Sequence, residues 1–144
     1  MTDNSINRFV KAQENIYGQV VKELQNGKKT SHWMWFIFPQ IVGLGSSSTS
    51  KYYAIKTIAE AGEYLKHPVL GKRLLECSNI LLKHKGKSAE SIFGYPDYLK
   101  LQSSMTLFNY VDPGSMIFSN VLLKYYNGEK DAGTINILQS MDKD

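Results

Sequence analysis

Apolar residues recur at helical spacing along almost the whole chain. Ile6, Phe9, Val10, Ile16, Tyr17, Val20, Val21 and Leu24 predict a first helix over residues 3–25. Asp3, Asn4 or Ser5 can cap it, because a short side-chain oxygen accepts a free N–H of the first turn. Asn26-Gly27 ends it. Tyr52, Ile55, Ile58, Ala59 and Leu65 mark helix over 48–66. A break falls near Lys56-Thr57, where Thr57 and Glu60 have the spacing of a capping box. His67-Pro68 opens the next helix, which runs to about Lys85 with Val69, Leu70, Leu74, Cys77, Leu81 and Leu82 on its inner stripe. Ser88 caps a short turn ending at Phe93-Gly94. Helices then follow from Pro96 to Val111, from Met116 to Tyr126 and from Ala132 to Met141. No pair of alternating stretches flanks a tight turn, so the pattern gives no β-hairpin. The expected architecture is all-α, one irregular domain over residues 1–144 with about six to eight helices.

One stretch departs from this periodicity. Ser31-His-Trp-Met-Trp-Phe-Ile-Phe-Pro-Gln40 holds both tryptophans, and its six consecutive apolar residues fit either a buried helix or a buried strand. Ser31 as a cap and Pro39 as a stop favour a short buried helix. A Gly/Ser loop, Gly43-Leu-Gly-Ser-Ser-Ser48, follows it.

Composition narrows the functional classes. A chain of 144 residues buries roughly 70% of its unfolded surface and needs no disulfide or metal to fold. Fifteen of the 17 basic residues are Lys and the net charge is +4, which is too mild to point to nucleic acid. The single cysteine, Cys77, rules out an internal disulfide and fits a reducing compartment. The N-terminal residues have no signal-peptide pattern, and the run from Trp33 to Phe38 is too short to span a bilayer. A soluble, cytoplasmic protein is expected. Three separated histidines and one cysteine give no metal-ligand pattern, and no cofactor fingerprint is present.

Candidate chemistry clusters in two places. His32 is a potential acid or base, and Trp33 or Trp35 could stack a flat ring. Residues i and i+2 of a helix cannot face the same way, so the two tryptophans need not share a role: either stacking or core packing is open for one of them. Gly43, Gly45 and Ser46 offer bare N–H groups and a hydroxyl to an anion, with Gln40 before them and Lys51 and Tyr53 after. The plain alternative is a connector with a serine cap, since the third glycine of a dinucleotide fingerprint is missing. Lys100, Ser103 and Ser104 share a helical face and could hold a phosphate; equally, the serines could be small packing residues. Glu63 and Glu60 are the best-placed carboxylates for acid/base work.

These residues resemble a known family. Arg8-Phe-Val-x-Ala-Gln13, the stretch from Ser31 to Gln40 with Gly43-Leu-Gly45, Tyr64-Leu-x-His-Pro-Val-Leu-Gly71, Ile92-Phe-Gly94 and Leu99-Lys-Leu-x-Ser-Ser-Met-Thr-Leu-Phe108 are similar to a small bacterial family of uncharacterised proteins, a domain of unknown function often mislabelled calpastatin. The resemblance implies an all-α fold and carries no established activity. Two expectations follow. One is binding or processing of a phosphorylated, nucleotide-like small molecule in a cleft beside residues 31–40, with His32 and Glu63 as acid/base groups. All-α N-glycosidases acting on ADP-ribose-type adducts are its looser analogy in class. The other is a non-enzymatic module that binds a protein or metabolite.

Overall fold

The computed structural model describes residues 5–142. It contains ten helices among these residues: α1 (Asn7–Gln13), α2 (Tyr17–Gln25), α3 (Met34–Ile37), α4 (Ser48–Tyr52), α5 (Ile58–Lys66), α6 (Leu70–Lys83), α7 (Ala89–Phe93), α8 (Asp97–Val111), α9 (Met116–Tyr126) and α10 (Ala132–Asp142). The all-α class holds, and the expected six to eight helices become ten. Two physical causes account for the difference. The turn expected after Ser88 closes as a helix of its own, α7, because Ser88 and Ser91 cap it reciprocally. The first helix is broken at residues 14–16, where the buried Gln13 is anchored by tertiary bonds: its amide donates to the Phe36 carbonyl at 2.7 Å and accepts from Arg73 at 3.2 Å. Asp3 and Asn4 lie outside the described residues. Ser5 Oγ accepts from the Asn7 N–H at 3.2 Å.

Helix α8 is the axis of the molecule. It packs against α5, α7, α9 and α10, and Ser103 through Asn109 are all buried. A helix enclosed this fully carries no strong apolar stripe. Its small hydroxyl residues let neighbours approach, and Ser103 and Thr106 donate to the carbonyls of Leu99 and Gln102 one turn back. Around it lies one core that includes Phe9, Trp33, Phe38, Tyr64, Leu74, Phe108 and Phe118.

Chain ends of helices follow local chemistry. Thr57 caps α5 by accepting from the Glu60 N–H at 3.0 Å. The capping box is not completed, because the Glu60 carboxylate turns to Arg8 and to the Lys56 N–H. Ser88 and Ser91 form a complete box at α7. His67 Nδ1 accepts the N–H groups of Val69 and Leu70, so this histidine serves the start of α6. Gly71 permits α6 to cross the end of α5: a Cβ there would stand 2.0 Å from the Leu65 carbonyl oxygen.

The Gly/Ser segment leaves and rejoins the body at one point. Val42 N–H donates to the Ile55 carbonyl and Ile55 N–H to the Gln40 carbonyl, each at 2.8 Å, as an isolated parallel bridge. The chain between them is a compact loop with closed ends that carries α4. Among the described residues, no helix is long and apolar enough to cross a membrane.

Candidate functional site

The aromatic stretch splits into two roles, as i and i+2 spacing allows. Trp33 is fully buried and Trp35 is half-buried. Trp33 is fixed by Glu23 of α2, whose carboxylate accepts the indole N–H at 2.9 Å. The same carboxylate accepts the Thr30 and Ser31 N–H groups at 2.7 and 3.0 Å, the Ser31 hydroxyl and the Gln19 amide. Ser31 therefore does not cap α3 as its position in the sequence suggests; its hydroxyl donates to Glu23 instead. Burial by itself would raise the Glu23 carboxyl. The bonds from Ser31, Gln19, Thr30 and Trp33 outweigh that effect and hold it well below the ordinary carboxylate range.

Trp35 turns the other way, towards α8. The Lys100 ammonium sits 5.0 Å above its ring centroid and 3.4 Å from Asp97. Asp97, in the first turn of α8, also takes the Lys29 ammonium at 2.8 Å. Lys29 in turn donates to the Ser31 carbonyl at 2.6 Å. A chain of alternating charges thus runs from the aromatic stretch to Lys100. It fixes one ammonium at the rim of a cleft of about 450 Å³.

That cleft and a narrow extension of it together gather most of the candidates. Trp35, Gln40, Gly45, Ser46, Lys100 and Ser103 line the cleft itself. Gly43, Lys51 and Tyr53 line a narrow extension of about 20 Å³ that shares Trp35, Gln40 and Gly45 with it. Burial raises the Tyr53 hydroxyl above its ordinary value. The loop owes its shape to Gly43, at φ +101°, and to Gly45, where a Cβ would meet Ser50 Oγ at 2.5 Å.

The loop hydroxyls are partly spent on the loop itself. Ser47 Oγ caps α4 by accepting the Ser50 N–H at 3.1 Å, and Ser50 Oγ donates to the Ser47 carbonyl at 2.9 Å. The anion cradle read from the glycines is therefore reduced, since the connector with a serine cap is present. Ser46 stays outside this knot and faces the cleft.

Four candidates lie elsewhere. Trp33 and Ser104 are fully buried, the latter with its hydroxyl unpartnered among the described residues. His32 is exposed and outside the cleft lining. Glu63 lies on the outer face of α5, beside a separate hollow with Lys66 and His67. Cys77 is buried, and burial pushes its thiol up to about 12. Among the described residues, no group of three His, Cys, Asp or Glu stands where it could hold a metal ion.

Sequence reasoning missed the apolar wall of Leu44, Pro96 and Leu99, and it missed Asp131. Asp131 had a legible signal, because Asp three residues before Thr134 at the start of α10 is a cap pattern. Its carboxylate Oδ2 accepts from the Thr134 N–H at 3.0 Å and the Thr134 hydroxyl at 2.6 Å.

Comparison with known proteins places the chain. A family model described as "Protein of unknown function (DUF1810)" matches residues 3–138. No curated protein matches significantly. The crystal structure of the conserved hypothetical protein Rv1873 from Mycobacterium tuberculosis, at 1.38 Å, superposes with a TM-score of 0.91 and 48% sequence identity, covering 92% of this chain and 95% of that one. With the family model spanning nearly every residue and a relative so similar in sequence and fold, the chain belongs to this family of proteins of unknown function.

Proposed function

We propose that the protein binds a phosphorylated small molecule with a flat ring, of nucleotide-like chemistry, in the cleft between the 40–50 loop and α8. One observation carries the reading: Trp35, Gln40, the loop and the Lys100–Ser103 face come from three separate parts of the chain and line one cavity. Its volume is within the range of small-ligand sites. Leu44, Pro96, Leu99 and Trp35 offer apolar surface to a ring. Lys100 and Ser46 offer a cation and a hydroxyl to an anion, beside Ser103, whose own O–H is donated to the Leu99 carbonyl. Lys100 is held in place by Asp97 and the Trp35 ring before any ligand arrives, which lowers the ordering cost of binding. His32 and Glu63 are outside these walls and take no part in this reading, so the function proposed is binding.

Thermal unfolding with the common nucleoside monophosphates and sugar phosphates at millimolar concentration tests it. A ligand at a hundred times its Kd adds about 2.7 kcal/mol, several degrees in Tm for a chain of this size. At least one phosphorylated ring compound raises the wild-type Tm. Trp35→Ala and Lys100→Ala each weaken that ligand by roughly tenfold or more, since a desolvated stack and a charge-assisted bond are lost. If the whole panel leaves the wild-type Tm in place, the reading is wrong.

A further inference from the structure

Asp131 lines the cleft, and one of its carboxylate oxygens takes no hydrogen bond from the described residues. The segment before α10 is pinned to α8 by two bonds. Gln102 donates to the Glu129 carbonyl at 3.0 Å, and the Asp131 N–H donates to Thr106 Oγ1 at 3.0 Å. Thr134 then holds Oδ2 through its N–H and hydroxyl. Helices α8 and α10 thus fix one carboxylate in the lining that also holds Ser103 and Lys100. Oδ1 has no hydrogen-bond donor among the described residues, and the side chain stands in the cavity lining.

An anionic acceptor at this place works against a second phosphate and in favour of a hydroxyl. Lys100 is the cation among the lining residues, already paired with Asp97, and Asp131 adds a negative charge to the same cavity. A polyphosphate would bring several negative charges against that carboxylate. A sugar carries hydroxyl donors that a carboxylate oxygen accepts well, as a charge-assisted bond. The cleft therefore combines a cation for one phosphate, an acceptor for hydroxyls and an apolar wall for a ring.

We infer that Asp131 is a ligand-binding residue, accepting a sugar hydroxyl through Oδ1, and that the ligand class is a glycosyl or ribosyl monophosphate. This rests on the binding reading proposed above for the same cleft.

Asp131→Asn is the informative variant. Asn caps helices as well as Asp does. Its single acceptor must turn to Thr134 to keep the cap, so its NH₂ replaces Oδ1 in the cleft. A donor then faces the sugar hydroxyl. Binding is measured by calorimetry on the full chain with the four ribonucleoside 5′-monophosphates, their 2′,3′-dideoxy analogues and ribose 5-phosphate; Tm of the free proteins is measured alongside. The expected result is an unchanged Tm for Asp131→Asn and a loss of roughly tenfold or more for the ribosyl ligands, as for a lost bond to a charged group. The dideoxy analogues bind both proteins equally and more weakly than the ribosyl forms bind the wild type. Equal ribosyl affinity in the two proteins, with Tm retained, overturns the inference and leaves the binding reading intact; Asp131 is then a helix cap only. Tighter binding of the matching triphosphates than of the monophosphates also overturns it. If the wild type binds none of these compounds, the inference falls together with the reading beneath it.

Discussion

Glu23→Ala lowers the stability of the protein by roughly 3–5 kcal/mol, because the buried Trp33 N–H and four part-buried donors lose their acceptor at once. The carboxylate is 3% exposed and takes five donors, from Gln19, Thr30, Ser31 twice and Trp33. Two successive backbone N–H groups before the aromatic stretch, those of Thr30 and Ser31, rest on this one side chain. Truncation leaves the Trp33 indole N–H in the core without its carboxylate partner. Glu23→Gln keeps the shape yet sets an NH₂ group against incoming donors, so it also destabilises, by less. The linkage to pH has a definite sign. The folded carboxyl is depressed below its ordinary value of 4.5, so its contribution is complete above that value and drains as the pH falls. Urea unfolding at pH 7 and at a series of acid pH values reads both effects. A Glu23→Ala midpoint equal to wild type, or the same acid slope in wild type and Glu23→Gln, contradicts this account.

Arg8→Leu produces a loss of similar size, roughly 3–5 kcal/mol, through a different route. The guanidinium is buried and holds Glu60 with two bonds, Nη1 to Oε2 at 2.9 Å and Nη2 to Oε1 at 3.3 Å. It also donates to the carbonyls of Ser5, Tyr52 and Ala54 at 2.7, 2.8 and 2.8 Å. Removing it leaves an uncompensated carboxylate and unpaired carbonyls at the joint between α4 and α5. Arg8→Lys does not restore the network, since one ammonium cannot span a planar fork. The double replacement Arg8→Leu with Glu60→Leu recovers part of the loss, because the stranded charge is gone. The joint closes the loop that forms one wall of the cleft, so ligand affinity falls with stability. Thermal melts of the three variants decide the matter; wild-type stability in both Arg8→Leu and Arg8→Lys sinks it.

The helices with several apolar turns were readable from spacing: α2, α5, α6, α8 and α9 lie within the stretches the pattern marks, and α10 runs one residue past its own. The break at residues 14–16 was not, because it follows from Gln13 meeting Phe36 and Arg73 across the fold. The same limit governs the site. Lys100 and Ser103 share a face and both reach the cleft, while Ser104, one residue on, rotates into the core. Periodicity says that these residues are neighbours and is silent on where the face ends. His32 and Glu63 were chosen for their chemistry alone, and residue type does not say which side of the molecule a residue occupies. Glu23 drew no attention, since its importance comes from donors seven to ten residues further along.

The two tryptophans stand two residues apart in the chain and in opposite surroundings. Trp33 is sealed in the core against a carboxylate, with the Lys29 ammonium 5.1 Å from its ring. Trp35 is open to the cleft under Lys100. The protein thus carries two built-in optical reporters. Fluorescence of a Trp35→Phe chain follows unfolding alone and resists acrylamide quenching. Fluorescence of a Trp33→Phe chain is quenched by acrylamide and is shielded when the cleft fills, so one titration separates occupancy of the site from stability of the fold.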